Sequence, residues 1–259
     1  MKYLFSNTGE TALAELAAQP TLLAFDFDGT LAPIVSQPQE ARMPAATLQV
    51  LEALCAAAPV AVISGRSVAD LKTRLGVTPK YLIGNHGLEG IPENDSALAA
   101  CRAICRDWHR QLMPYLAGDP ALAGVMLEDK EYSLSLHYRL APQPAVAAHR
   151  LHAVMAALQP APVVVGGKQV FNLMPTHASN KGRALRSLLR HEGLEQALYV
   201  GDDDTDETIF ADAPAPWLTV RIEPSPVSAA RFFLRQQDEM TLLLQKIVRA
   251  VAPRRQPGI

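Results

Sequence analysis

The run Thr21-Leu22-Leu23-Ala24-Phe25-Asp26-Phe27 is apolar almost throughout and breaks into acid and glycine, as a buried parallel strand does where its C-terminal end opens onto a site. Val60–Arg66 and Ala197–Asp203 repeat that design. Between these runs, apolar positions recur at helical spacing over about 44–58, 67–76 and 181–192. Strand and helix therefore alternate, which predicts a doubly wound parallel sheet in an α/β core. The middle of the chain follows a different rule. Gly124–Leu140 and Pro162–Pro175 alternate polar and apolar positions around a central turn, and each follows a helical stretch, at about 97–117 and 143–158. Helix and hairpin twice over make an α+β unit inserted into the core. The expected domains are residues 1–91 with 176–259 for the core and 92–175 for the insert, with hinges at Pro92 and at Pro175-Thr176-His177-Ala178-Ser179.

Composition narrows the setting without changing this picture. The 259 residues are 49% hydrophobic and 19% charged, the profile of a soluble globular chain able to bury a sizeable core. A net charge of −2 with no long basic run gives no electrostatic case for nucleic acid or an anionic membrane surface. No stretch reaches the roughly 18 apolar residues of a membrane helix. Cys55, Cys101 and Cys105 are odd in number and have no metal-type spacing, so they read as reduced thiols in a cytoplasmic, unexported protein. The closing Pro253-Arg254-Arg255-Gln256-Pro257-Gly258 reads as a frayed tail, and the oligomeric state is not legible.

Candidate chemistry sits where the predicted strands end. Asp26-Phe27-Asp28-Gly29-Thr30 places two carboxylates at i and i+2, on one side of an extended chain, followed by a glycine for a sharp turn and a hydroxyl for an anion. Such a pair can serve as nucleophile and acid/base, can bind a metal, or can simply cap a turn. Gly201-Asp202-Asp203-Asp204-Thr205-Asp206-Glu207 packs five acids into six residues. So dense a patch repels itself unless a hard divalent cation, Mg²⁺ by its taste for oxygen ligands, neutralises part of it, or unless some of the acids complement the dipole of a following helix. Ser64-Gly65-Arg66 supplies donors and positive charge for a phosphate. Lys181, in Ser179-Asn180-Lys181-Gly182 at a helix start, adds a cation suited to transition-state charge.

Taken in this order, the four stretches resemble the motifs of the haloacid dehalogenase superfamily of phosphatases, and the inserted unit is similar to that superfamily's cap. The resemblance implies a Rossmann-like core in which Asp26 attacks phosphorus and Asp28 serves as acid and then base. It also implies Mg²⁺ held by Asp26, the Asp28 carbonyl and Asp202, with Asp203 and Asp206 orienting its waters. Ser64 and Lys181 would act on the phosphate, and Thr30, Gly65 and Arg66 would line its pocket. A mutase or phosphotransferase of the same superfamily, or an inactive sugar-phosphate sensor, are the rival readings. Gly84-Asn85-His86-Gly87-Leu88-Glu89 and Leu127-Glu128-Asp129-Lys130 further resemble the trehalose-6-phosphate phosphatase family, which implies a sugar phosphate bound by Asn85, His86, Glu128 and Lys130. There is one departure. Gly167-Lys168-Gln169-Val170-Phe171-Asn172 carries Asn172 where that family has a sugar-binding glutamate, so a related disaccharide phosphate is an alternative substrate.

Overall fold

Residues 1–92, 95–167, 169–176 and 180–251 are described by the structure, a computed structural model. The expectations for Lys168, for His177, Ala178 and Ser179, and for the closing Pro-Arg-Arg-Gln-Pro-Gly stretch lie outside them. The chain divides into two units, Met1–Pro92 with Asn180–Ile259, and Glu93–Ser179. Both boundaries expected from sequence lie slightly upstream of these. Thr176 belongs with the inserted unit, where its hydroxyl donates to the Ala161 carbonyl at 3.0 Å.

The first unit begins with β1 (Lys2–Tyr3), α1 (Asn7–Ala17), β2 (Thr21–Phe25), α2 (Ala45–Ala57), β3 (Val60–Ile63), α3 (Val68–Leu75) and β4 (Tyr81–Ile83). The second follows with α4 (Asp95–Gly118), β5 (Met126–Asp129), β6 (Leu134–His137), α5 (Pro144–Ala156), β7 (Val163–Gly167) and β8 (Val170–Met174). The chain returns to the first through α6 (Lys181–Glu192), β9 (Gln196–Gly201), α7 (Glu207–Phe210), β10 (Leu218–Ile222), β11 (Phe232–Leu234) and α8 (Glu239–Val251).

In the first unit seven parallel strands lie in the order β1-β11-β10-β9-β2-β3-β4. Alternate residues of each central strand go to opposite faces. Leu23 and Phe25 pack with Leu51 and Leu54 of α2 and Leu243 and Leu244 of α8, while Leu22 and Ala24 pack with Leu185 and Leu188 of α6. Both faces are covered, which is why β2 is apolar at every position after Thr21 rather than every second one. Each fully buried leucine or phenylalanine contributes about 1.5–3 kcal/mol, so the sheet centre is the most firmly held part of this unit. From β2 the chain builds outward through β3 and β4, then returns to β9 on the other side of β2. The crevice between β2 and β9 is therefore the switch point, where an open α/β sheet binds ligands at its strand C-termini.

The second unit is an antiparallel sheet in the order β5-β6-β8-β7. Leu134, Leu136, Phe171 and Leu173 share a core with Trp108 and Leu112 of α4 and Leu151 and Val154 of α5. By the two-residue strand period, the row Glu128–Ser135–Asn172–Val165 faces away from those helices. No helix among the described residues is long and apolar enough to cross a membrane. The three cysteines are free thiols.

Candidate active site

Asp26 follows the last residue of β2, and its amide donates to the Val200 carbonyl of β9 at 2.9 Å, extending the pairing of those strands into the site. The residue is 4% exposed. Lys181, at the first position of α6 and itself buried, donates to Asp26 Oδ1 at 2.9 Å and to Asp206 Oδ1 at 2.7 Å. Asp26, Asp202 and Asp206 each bring a carboxylate oxygen within 4.8 Å of the others. One ammonium stands among three acids. Burial raises the Asp26 carboxyl well above its ordinary range; Lys181 pulls it back, and Asp206 and Asp202 push it up again. Asp202 is pushed up to about 7, first by burial and then by Asp206. For Lys181, burial opposes the charge, but Asp206 and Asp26 outweigh it and hold the ammonium protonated.

The acids of the second cluster divide their work. Asp206 is fully buried and saturated: Oδ1 accepts from Lys181 and from the Tyr199 hydroxyl at 2.6 Å, and Oδ2 accepts from the amides of Asp202 and Asp203, both at 2.9 Å. With four donors on its two oxygens, it anchors the lysine and the loop while standing beside Asp26 and Asp202. Asp203 accepts from the Asp204 amide at 2.7 Å and caps the turn that leads into α7. Glu207 bonds Arg221 at 3.1 Å and the Ala229 amide at 3.0 Å. Asp202 differs from these. Its Oδ1 is buried and, among the described residues, has no hydrogen-bond partner, an arrangement that costs free energy unless a cation or donor meets that oxygen. Hard carboxylate oxygens from Asp202 and Asp26 in one buried pocket fit a divalent ion such as Mg²⁺.

The loops fit tightly. Gly29 has φ +81°, and a Cβ there would stand 2.1 Å from Asp202 Oδ2, so the Asp-x-Asp-Gly turn closes onto the acidic loop only with glycine. Thr30 Oγ1 is buried and, among the described residues, has no hydrogen-bond partner. Ser64 is buried too; its Oγ accepts from the Arg66 amide at 3.2 Å, which leaves its proton to donate. A Cβ on Gly65 would meet the His86 imidazole at 2.4 Å, so that glycine makes room for the histidine. Asn85 and His86 take φ of 50° and 56°, a conformation held by Asn85 N to Arg66 O at 2.8 Å and His86 N to Ser64 O at 2.9 Å. Glu89 secures the same turn, accepting from Asn85 Nδ2 at 3.0 Å and from the Val68 amide at 2.9 Å.

Arg66 faces two carboxylates in this structure. Its Nε and Nη2 donate to the two oxygens of Asp28 at 2.6 and 2.7 Å, and its Nη1 donates to Asp70 at 2.7 Å. The Asp28 carboxylate is thus turned to Arg66, so any metal contact from this residue falls to its carbonyl. In the second unit, the Glu128 carboxylate accepts from His137 Nε2 at 2.8 Å, with Lys130 Nζ 3.8 Å away. Asn172 is nearly buried: its Oδ1 accepts from Ser135 at 2.6 Å, and its Nδ2 donates to the Val165 carbonyl at 3.5 Å. Structure thus adds Tyr199, Glu89, Ser135 and His137 to the residues read from sequence. Glu89 closes a motif already legible in the sequence, and Tyr199 carried a signal too, a phenol inside an apolar strand that must find a buried partner.

The sequence profile of the family described as Trehalose-phosphatase matches residues 24–236, from β2 through β11. The chain belongs to the trehalose-phosphatase family. Among relatives of this family member, a trehalose-phosphate phosphatase of Mycolicibacterium paratuberculosis is 33% identical over 235 residues, 86% of this chain and 57% of that protein. One from Mycobacterium marinum is 35% identical over 202 residues, 74% of this chain and 51% of that protein. The chain thus spans about half the length of these relatives. The fold of the trehalose-phosphatase family recurs in a crystal structure described as a trehalose-6-phosphate phosphatase related protein, with TM-score 0.70 and 23% identity over 91% of this chain and 100% of that one. It recurs again in the C-terminal domain of the C. albicans trehalose-6-phosphate phosphatase, with TM-score 0.68 and 22% identity over 92% and 95%.

Proposed function

We propose that this chain hydrolyses trehalose-6-phosphate to trehalose and phosphate through an aspartyl-phosphate on Asp26. The observation that carries the reading is the buried Asp26–Lys181–Asp206 bridge beside Asp202, at the switch point of a sheet whose family acts on that ester. Asp26, the Asp28 carbonyl and Asp202 are the residues that would hold Mg²⁺. The ion supplies electrostatic relief between an anionic nucleophile and an anionic ester, and stabilises the transferring phosphoryl group. Asp26 Oδ attacks phosphorus and its bond to the sugar oxygen breaks, with Asp28 delivering a proton to that oxygen. Asp28 then takes a proton from water as the water attacks the acyl phosphate, and Asp26 is regenerated. Lys181 stabilises charge on Asp26 and on the phosphoryl oxygens, while Ser64 and Thr30 donate to them.

Phosphate release from a panel of sugar phosphates tests this reading. Trehalose-6-phosphate is expected to be turned over best, with activity lost in EDTA and restored by Mg²⁺; a preference for monosaccharide phosphates sinks the substrate assignment. Release without an added acceptor separates a phosphatase from a phosphotransferase.

Asn172 gives a second, finer expectation. It lies in one row with Glu128 and Ser135 on the sheet face turned away from the second unit's helices, and it is neutral where the family resemblance implies a carboxylate. Asn172→Glu keeps the bond from Ser135 and makes hydrogen bonds to sugar hydroxyls charge-assisted. It is expected to raise kcat/KM for trehalose-6-phosphate by about 5- to 10-fold, chiefly through KM. Steady-state kinetics on the two proteins decide it, and an unchanged KM removes Asn172 from sugar recognition.

A further inference from the structure

Arg66 bonds Asp28 through the geometry that fixes a carboxylate best, two parallel N–H donors of one planar guanidinium on the two oxygens, at 2.6 and 2.7 Å. The guanidinium is itself held. Its Nη1 donates to Asp70 at 2.7 Å, and Asp70 is gripped in turn by the Nε and Nη2 of Arg74 at 2.7 and 2.6 Å. Its plane lies over the Phe27 ring, 5.6 Å from the centroid. The backbone is tied as well, its amide to Ser64 Oγ and its carbonyl to the Asn85 amide. Arg74, Asp70, Arg66 and Asp28 thus form one chain of ion pairs that starts on α3 and ends at the acid/base group.

Asp28 needs such a support. It follows β2 on a turn that continues into Gly29, and its side chain is 39% exposed against 6% for Asp26. Left alone, a half-exposed aspartate samples several rotamers, and only some aim its oxygen at a departing ester oxygen. The fork takes one lone-pair direction from each oxygen and leaves the others to give or take a proton.

Resting on the acid/base role proposed above for Asp28, we propose that Arg66 is a positioning residue that fixes the Asp28 carboxylate for proton transfer, rather than a ligand of the substrate phosphate. The two roles separate by leaving group. kcat/KM reports steps only through the first irreversible one, cleavage of the ester bond. Trehalose-6-phosphate releases a sugar alkoxide that must be protonated, whereas 4-nitrophenyl phosphate releases a stable phenolate that need not be. Arg66→Ala is expected to lower kcat/KM for trehalose-6-phosphate about 100-fold, the scale of a misplaced catalytic group, and for 4-nitrophenyl phosphate by no more than about threefold. Arg66→Lys keeps the charge without the fork and should recover less than about a tenth of the lost activity on the sugar ester. In an Asp28→Asn background, Arg66→Ala should cost nothing further on either ester.

Equal losses on both esters, or additive losses in the double variant, overturn the proposal and return Arg66 to the phosphate. If Arg66→Ala does not fold, Asp70→Asn carries the test. It loosens the same guanidinium from behind, and a selective loss of about fivefold on the sugar ester supports the proposal while no selectivity overturns it. Asp28→Asn alone keeps the two readings apart. If that variant loses both esters alike, the acid role of Asp28 fails; if it is selective and Arg66→Ala is not, only the role of Arg66 fails.

Discussion

Asp26→Asn is expected to abolish phosphate release, by on the order of 10⁴-fold or more, while leaving the protein folded. The amide is nearly isosteric with the carboxylate and can still accept from Lys181 Nζ, but it is not a nucleophile toward phosphorus. Its effect on stability runs opposite to its effect on activity. Burial, Asp206 and Asp202 all disfavour a charge at Asp26, so removing that charge relieves repulsion in a cluster holding one lysine among three acids. A thermal scan should show an unchanged or raised Tm beside the lost turnover, and acid quenching during turnover should trap phosphate on the parent enzyme and not on the variant. Turnover at the parent rate would mean that another group attacks phosphorus.

Lys181→Met is expected to cost both activity and stability. The methionine matches the length of the lysine but leaves Asp26 and Asp206 buried without their shared cation, and breaking a buried ion pair from one side costs about 3–5 kcal/mol. On turnover, the loss of a donor aimed at developing charge costs about 10²- to 10³-fold. The two effects separate by pH. A carboxyl whose folded pKa lies above its unfolded value favours the fold at low pH and disfavours it as pH rises through the folded pKa. Asp26 is already raised, and without Lys181 it rises further, so the stability deficit of the variant should shrink between pH 8 and pH 5. Denaturation curves at the two pH values check this. A pH-independent deficit would assign the lysine a packing role alone.

The strands that carry chemistry were legible because a parallel strand buried on both faces is apolar throughout and stops abruptly where it meets the site; β2, β3 and β9 all do this. The two hairpins of the second unit were legible through their alternation. β1, β10 and β11 were not singled out. Lys2–Tyr3 and Phe232–Leu234 are too short to show a period, and Leu218–Ile222 alternates with threonine and arginine. In the site, residue types were readable and partners were not. Sequence spacing says that Asp202, Asp203 and Asp206 are close, but not that Asp206 faces inward to Lys181 and Tyr199 while Asp203 turns back on its own backbone. Arg66 is the clearest case. The sequence places Arg66 two residues after Ser64, but only the fold brings Asp28, from a loop 38 residues earlier, against its guanidinium.

The central place of β2 has a consequence for how the chain is made. β2 lies between β3, which follows it closely in sequence, and β9, which is synthesised only after the whole second unit. Until then one edge of this buried apolar strand is bare, and Asp26 has neither Lys181 nor the Val200 carbonyl to meet it. A ribosome-bound chain in that interval carries an open strand edge, the kind of surface that pairs with other chains and that holding chaperones cover. The arrangement that buries Asp26 in the finished molecule therefore leaves it, in the nascent one, without its final neighbours until β9 has emerged.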